Sequence, residues 1–107
     1  MKNKFNLNSI RDSYDDSILS PPDLIHECYE RIEKDSKDKI WISLRKRSEA
    51  IKIAEFLSTS SRKNKPLWGI PFSVKDNIDV EGLATTAACP KYSYLPEKSS
   101  PVVQALE

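Results

Sequence analysis

Leu67-Trp68-Gly69-Ile70-Pro71-Phe72-Ser73-Val74-Lys75-Asp76-Asn77 is the stretch at which this chain changes character. Ile70, Phe72 and Val74 alternate with Pro71, Ser73 and Lys75, the two-residue period of a strand with one apolar face. Gly69 and Pro71 interrupt that run. On this reading Lys75 lies on the face opposite Val74, at the strand's carboxyl end. Open α/β sheets take ligands beyond the carboxyl ends of their strands, so Lys75, Asp76 and Asn77 form a site candidate by position. A lysine beside an aspartate is more often a solvated surface pair, and position alone does not assign catalysis.

Upstream of Lys65-Pro66 the periodicity is helical and the charge density high. Leu7, Ile10, Tyr14 and Ile18 predict a short amphipathic helix capped by Asn6 or Asn8. Ser20-Pro21-Pro22-Asp23 is a stronger start signal: serine caps, proline suits the first turn, and aspartate complements the positive helix end. The helix is expected over 21–33, with Leu24, Ile25, Cys28 and Ile32 facing a core and Glu27, Arg31 and Lys34 facing water. Lys34-Asp35-Ser36-Lys37-Asp38-Lys39 has nothing to bury and reads as a solvated loop. Ile40, Trp41, Ile42 and Leu44 fit either a strand fragment or an extended lead-in. A third helix is expected over 47–57, presenting Ala50, Ile51, Ala54 and Leu57 on one face, with Ser58 to Ser61 ending it.

Downstream, Asp76, Asn77, Asp79 and Gly82 mark a loop, and the small residues of Thr85-Thr86-Ala87-Ala88-Cys89-Pro90 permit close packing. Thr85 and Thr86 suit the border of a substrate pocket or simple turn packing. Ser99-Ser100-Pro101 starts another helix, with Val102, Val103 and Leu106 as its first apolar residues. The chain divides at about 64 into a helical part and a strand-and-loop part.

Composition narrows the function classes. Seventeen Lys and Arg against sixteen Asp and Glu leave a net charge of +1, which provides no field for nucleic acid or an anionic membrane. The basic clusters Arg45-Lys46-Arg47 and Arg62-Lys63-Lys65 lack interleaved aromatics and read as solvated surface. Cys28 and Cys89 form no metal-ligand or disulfide spacing. The start, Met1 to Asn6, has no apolar segment of signal-peptide length, and no apolar run reaches membrane-span length, so a cytoplasmic location is expected. His26 falls on a helix's polar side, and Trp41 and Trp68 read as core or interface anchors.

Pro66 to Val80, with its Pro-Leu-Trp-Gly-Ile-Pro-Phe-Ser-Val-Lys-Asp-Asn-Ile-Asp-Val order, resembles the segment that carries the catalytic lysine of the amidase signature family. Gly82 to Pro90, then Tyr94, Pro96 and Ser99 to Val103, resemble its allophanate hydrolase branch, and Trp41-Ile42-Ser43 fits the same branch. Ala84 and Lys91 depart from that pattern, where a proline and a small residue are common. The resemblance implies an α/β fold in which N-terminal helices precede the first strands of a mixed sheet, here incomplete.

The resemblance also implies a triad of lysine, a serine on a cis peptide bond and a nucleophilic serine, with Lys75 matching the lysine. Neither serine has a counterpart among the residues of this chain, and Ser73, Ser99 and Ser100 do not take their place. A serine hydroxyl needs a base to become a nucleophile, and lysine serves as one only when burial and neighbours favour its neutral form. The chain alone is therefore expected to be inactive. The complete hydrolase would convert allophanate to ammonia and carbon dioxide without metal or cofactor. A complementing fragment or an oligomer is the expected partner, and the small amide substrate belongs to the complete enzyme. Two alternatives share these residues: an amidotransferase amidase subunit or general amidase, and a non-catalytic partner-binding module.

Overall fold

The computed structural model describes residues 5–35, 37 and 39–107. Met1 to Lys4, Ser36 and Asp38, which the sequence reading assigns to a polar start and a charged loop, lie outside the described residues. The chain forms two compact units interleaved in sequence: Met1–Lys37 with Lys46–Pro71, and Asp38–Arg45 with Phe72–Glu107. No helix among the described residues is long and apolar enough to cross a membrane.

The first unit holds three helices. Helix α1, Leu7–Asp15, begins where extended Asn6 accepts a hydrogen bond from the Ser9 amide at 2.9 Å. It ends in a Schellman arrangement: the Ser17 amide bonds the Tyr14 carbonyl at 3.2 Å and the Ile18 amide bonds that of Ser13 at 2.9 Å. Ser17 takes the left-handed conformation this requires, with φ 55°. The stop corrects the expected stripe, because Ile18 falls past the turn and is 69% exposed, while Ile10 and Tyr14 are buried.

Helix α2, Pro21–Lys34, starts with a full capping box between Ser20 and Asp23, and both prolines sit in the first turn, where a missing amide hydrogen costs least. Leu24 is fully buried and joins Ile10 and Tyr14 in a cluster flanked by Leu19, Cys28, Trp68 and Ile70. On the outer side Glu27 and Arg31 are ion-paired at 2.7 Å, and the Arg31 guanidinium lies 3.8 Å from the Phe5 ring centroid, so neither simply faces water.

Helix α3, Arg47–Ser58, packs on α2, with Ala54 buried and Ala50, Ile51 and Leu57 half-buried, the face expected from sequence. Its last carbonyls are satisfied by local hydroxyls: Ser58 donates to Ala54, Thr59 to Phe56 and Ser60 to Leu57, at 2.7–2.9 Å. These bonds explain why the serine-threonine run terminates the helix.

The expected strand over 70–74 is not formed; among the described residues the only β pairings are two isolated bridges, Val80 with Leu83 and Thr85 with Tyr94. The reason is local. The Trp68 amide bonds the Lys65 carbonyl and that of Ile70 bonds Leu67, so the entry to the segment closes turns on itself, and Pro71 has no amide hydrogen to give a ladder. Trp68 and Ile70 then pack on the helical cluster instead of forming one face of a sheet. The 40–44 stretch is likewise irregular, and Ile40, Trp41, Ile42 and Leu44 are all exposed.

The second unit has a thin interior: among its described residues Thr85, Pro96, Ser99 and Val103 are buried. A 3-10 turn, Pro90–Tyr92, precedes helix α4, Pro101–Leu106, which begins after Ser100 as expected. This unit is held mainly by hydrogen bonds. Ser99 accepts from the Glu81 amide at 2.9 Å, and the Ser100 amide reaches the Asp79 carbonyl at 2.9 Å.

Candidate active site

Lys75 opens a turn in the second unit: its carbonyl accepts from the Ile78 amide at 3.0 Å. Its side chain is exposed, and it is not among the residues that line the hollow beside Thr86 and Ala88. With no strand at 70–74, there is no sheet rim for it to occupy among the described residues. The chain neighbour Asp76, by contrast, is bonded through both carboxylate oxygens and its carbonyl. Its Oδ1 accepts from the Thr86 amide at 3.0 Å, and its Oδ2 accepts from the Thr86 hydroxyl and, at 3.2 Å, from the Ala88 amide. Its carbonyl takes the Ala87 amide at 3.1 Å.

These bonds secure an unfavourable backbone. Ala87 and Ala88 are consecutive left-handed residues, with φ 48° and 59°. The left-handed region strains a residue with a Cβ, and hydrogen bonds to a charged acceptor are stronger than those between neutral groups, so the bonds of one carboxylate to 86–88 offset the strain of two alanines. The Thr86 hydroxyl is also the main cause that holds the Asp76 carboxyl below the usual carboxylate range, with the two amides acting in the same direction against partial burial.

A second carboxylate organises the adjoining backbone. The Thr85 hydroxyl donates to Asp79 at 2.8 Å and the Tyr94 hydroxyl donates to the same oxygen at 2.5 Å, while Thr85 and Tyr94 exchange main-chain bonds at 2.9 and 3.1 Å. The bond to Asp79 pushes the Tyr94 phenol up. Thr85, 2% exposed, therefore serves turn packing. Thr86 does two things: it bonds Asp76, and with Ile42, Ala88, Pro90 and Ser93 it lines an open, largely apolar hollow of about 390 Å³. Sequence reasoning did not find Ile42 or Ser93 as lining residues, nor Asp79 as an anchor, and their spacing carries no signal that would have.

The remaining candidates are dispersed. Asn77 and Ser73 are exposed, and Ser99 is buried as an acceptor for the Glu81 amide. His26 is exposed, as expected, and its Nδ1 lies 3.1 Å from the Arg47 guanidinium, which also pairs with Glu33 at 3.2 Å. Arg62 is more than solvated surface: its guanidinium lies 4.8 Å from the Trp68 ring centroid and 2.9 Å from the Asp15 carboxylate. Trp68 is an anchor of the helical core, whereas Trp41 is exposed. Burial pushes the Cys28 thiol up, and Cys89 is exposed; both are free thiols.

The turn carrying Lys75 and the loop that Asp76 binds both lie within residues 23–107, the span matched by the model of the Amidase family. The chain belongs to the amidase family. Urea amidolyase of Saccharomyces cerevisiae is 50% identical over 72 residues, 64% of this amidase-family chain and 4% of that protein. A glutamyl-tRNA(Gln) amidotransferase subunit from Lactobacillus johnsonii is 36% identical over 104 residues, 95% of this chain and 20% of its own length. The solved structure of selenomethionine-substituted allophanate hydrolase from Kluyveromyces lactis superimposes with a TM-score of 0.67 and 37% identity, covering 91% of this chain and 17% of that one. This chain thus spans a fifth or less of the length of each of these amidase relatives.

Proposed function

We propose that this chain contributes the lysine-bearing portion of a hydrolase that converts allophanate to ammonia and carbon dioxide in the cytoplasm. The observation that carries the reading is the unbroken Pro66 to Val80 segment inside the family match, combined with similarity to urea amidolyase and to allophanate hydrolase. In this reading Lys75 receives the proton of a serine hydroxyl supplied by the rest of the hydrolase. The serine oxygen bonds to the amide carbonyl carbon, the carbon–nitrogen bond breaks, and the proton held by Lys75 goes to the departing nitrogen, which leaves as ammonia. Water then hydrolyses the acyl-serine ester, regenerating the serine hydroxyl and releasing N-carboxycarbamate, whose breakdown yields carbon dioxide and the second ammonia.

The sheet that 70–74 would join, the oxyanion donors and both serines come from that other portion, so the chain by itself is inactive. Exposed apolar residues support such a complementing surface: in the second unit Ile40, Ile42, Leu95 and Val102 are each more than half exposed. The test is ammonia release from allophanate by the purified chain, alone and after mixing with the downstream portion of the Kluyveromyces lactis enzyme. Activity only in the mixture supports the reading. Activity of the chain alone overturns its claim of incompleteness.

Similarity over 95% of the chain to an amidotransferase subunit favours one further reading, an amidase that draws ammonia from glutamine. Glutamine and allophanate assayed side by side in the mixture separate the two.

A further inference from the structure

We propose that Asp76 is a positioning residue of the amidase site: it latches the Thr86 to Ala88 loop onto the turn that begins at Lys75, and so fixes where the Lys75 amine is presented. The inference rests on the reading of Lys75 as the catalytic lysine. Its observations are independent of that reading.

Lys75 and Asp76 occupy the first two places of one turn, closed by the Ile78 amide on the Lys75 carbonyl. The other side of the turn is bound through the Asp76 carboxylate and carbonyl, which together take three amide groups and one hydroxyl from 86–88. A lysine stem has four rotatable carbons, so the location of its amine depends first on how firmly its own backbone is held. Asp76 supplies that hold from the adjacent residue. The same loop carries Thr86 and Ala88 into the wall of the hollow, so one carboxylate sets both the lysine backbone and part of a wall within the unit. Both carboxylate oxygens are needed for this. The amide of an asparagine keeps one acceptor oxygen and presents a donor where the other must accept from the Ala88 amide.

The test uses the full 107-residue chain with its lysines reductively methylated with 13C, the Lys75 signal being identified by its absence in Lys75→Arg. As pH falls below the usual carboxylate range, the latch opens, the Thr86 and Ala88 amides exchange about tenfold faster, and the Lys75 methyl signal moves with the same midpoint. Asp76→Asn abolishes that acid-range movement. Thr86→Val, which removes a single hydroxyl and leaves both amides in place, displaces the Lys75 signal partway, and Thr86→Ser restores it. Amides that lose protection while the Lys75 signal stays flat would overturn the proposal, since Asp76 would then hold the loop without acting on the lysine. None of these readouts depends on turnover, so a failure of the hydrolase reading appears separately, as absent ammonia release.

Discussion

The Tyr14 hydroxyl donates to the Gly69 carbonyl at 2.7 Å, tying the first helix to a segment 55 positions later. The contact is possible because Gly69 has no side chain. A Cβ there would come within 2.9 Å of Tyr14 Cε2 and 3.2 Å of Pro21 Cγ, on a backbone at φ 71°. Gly69→Ala therefore combines a clash with left-handed strain, and we expect it to lower stability by more than ~1 kcal/mol in urea denaturation. Gly82→Ala is the control. Its φ is 81° but nothing lies within 4 Å of the added carbon, so it costs strain alone and the smaller loss.

Burial pushes the Tyr14 phenol up to about 12, with the nearby Cys28 adding in the same direction. Because the folded value lies above the unfolded one, the stabilisation is complete below pH 10 and declines as pH rises from there toward 12. Phenolate absorbance should show Tyr14 ionising late. Tyr14→Phe should remove this alkaline loss while costing ~1 kcal/mol at neutral pH for the hydrogen bond. Tyr94 is also pushed up, through Asp79, which is why the variant and not the bare titration curve isolates Tyr14.

The helices were legible in sequence because each is written in short-range signals. Ser20-Pro21-Pro22-Asp23 contains the whole start of α2, and Ala50, Ile51, Ala54 and Leu57 mark the face that α3 turns inward. The end of α1 was not legible, since a Schellman turn normally needs glycine and here uses Ser17 at φ 55°. The strand reading failed for a different reason. Alternation at Ile70, Phe72 and Val74 states a preference, but a strand exists only with a partner, and the neighbouring amides close turns instead. In the candidate site, Asp76 was legible as a loop residue beside Lys75, while its bonds to 86–88 and the two left-handed alanines that those bonds secure have no sequence signature.

The capping box at α2 gives a prediction of its own. Ser20 Oγ accepts from the Asp23 amide at 3.4 Å, and Asp23 accepts from the Ser20 amide at 3.0 Å. Ser20→Ala removes the first acceptor and should cost ~1 kcal/mol, whereas Ser20→Gly should cost only a few tenths. Thermal unfolding followed by helical circular dichroism orders the two variants.

Lys75 provides the most direct test. On the proposed function, residues 1–107 placed in the Kluyveromyces lactis allophanate hydrolase, in exchange for the portion they match, should release ammonia from allophanate, with the hydroxyl and the oxyanion donors coming from the rest of that protein. Lys75→Ala in this chimera should lower the rate by roughly 10²–10⁴-fold, the contribution of a positioned general base, with folding unchanged by circular dichroism. A chimera that turns over allophanate equally well with and without the Lys75 amine would contradict the account.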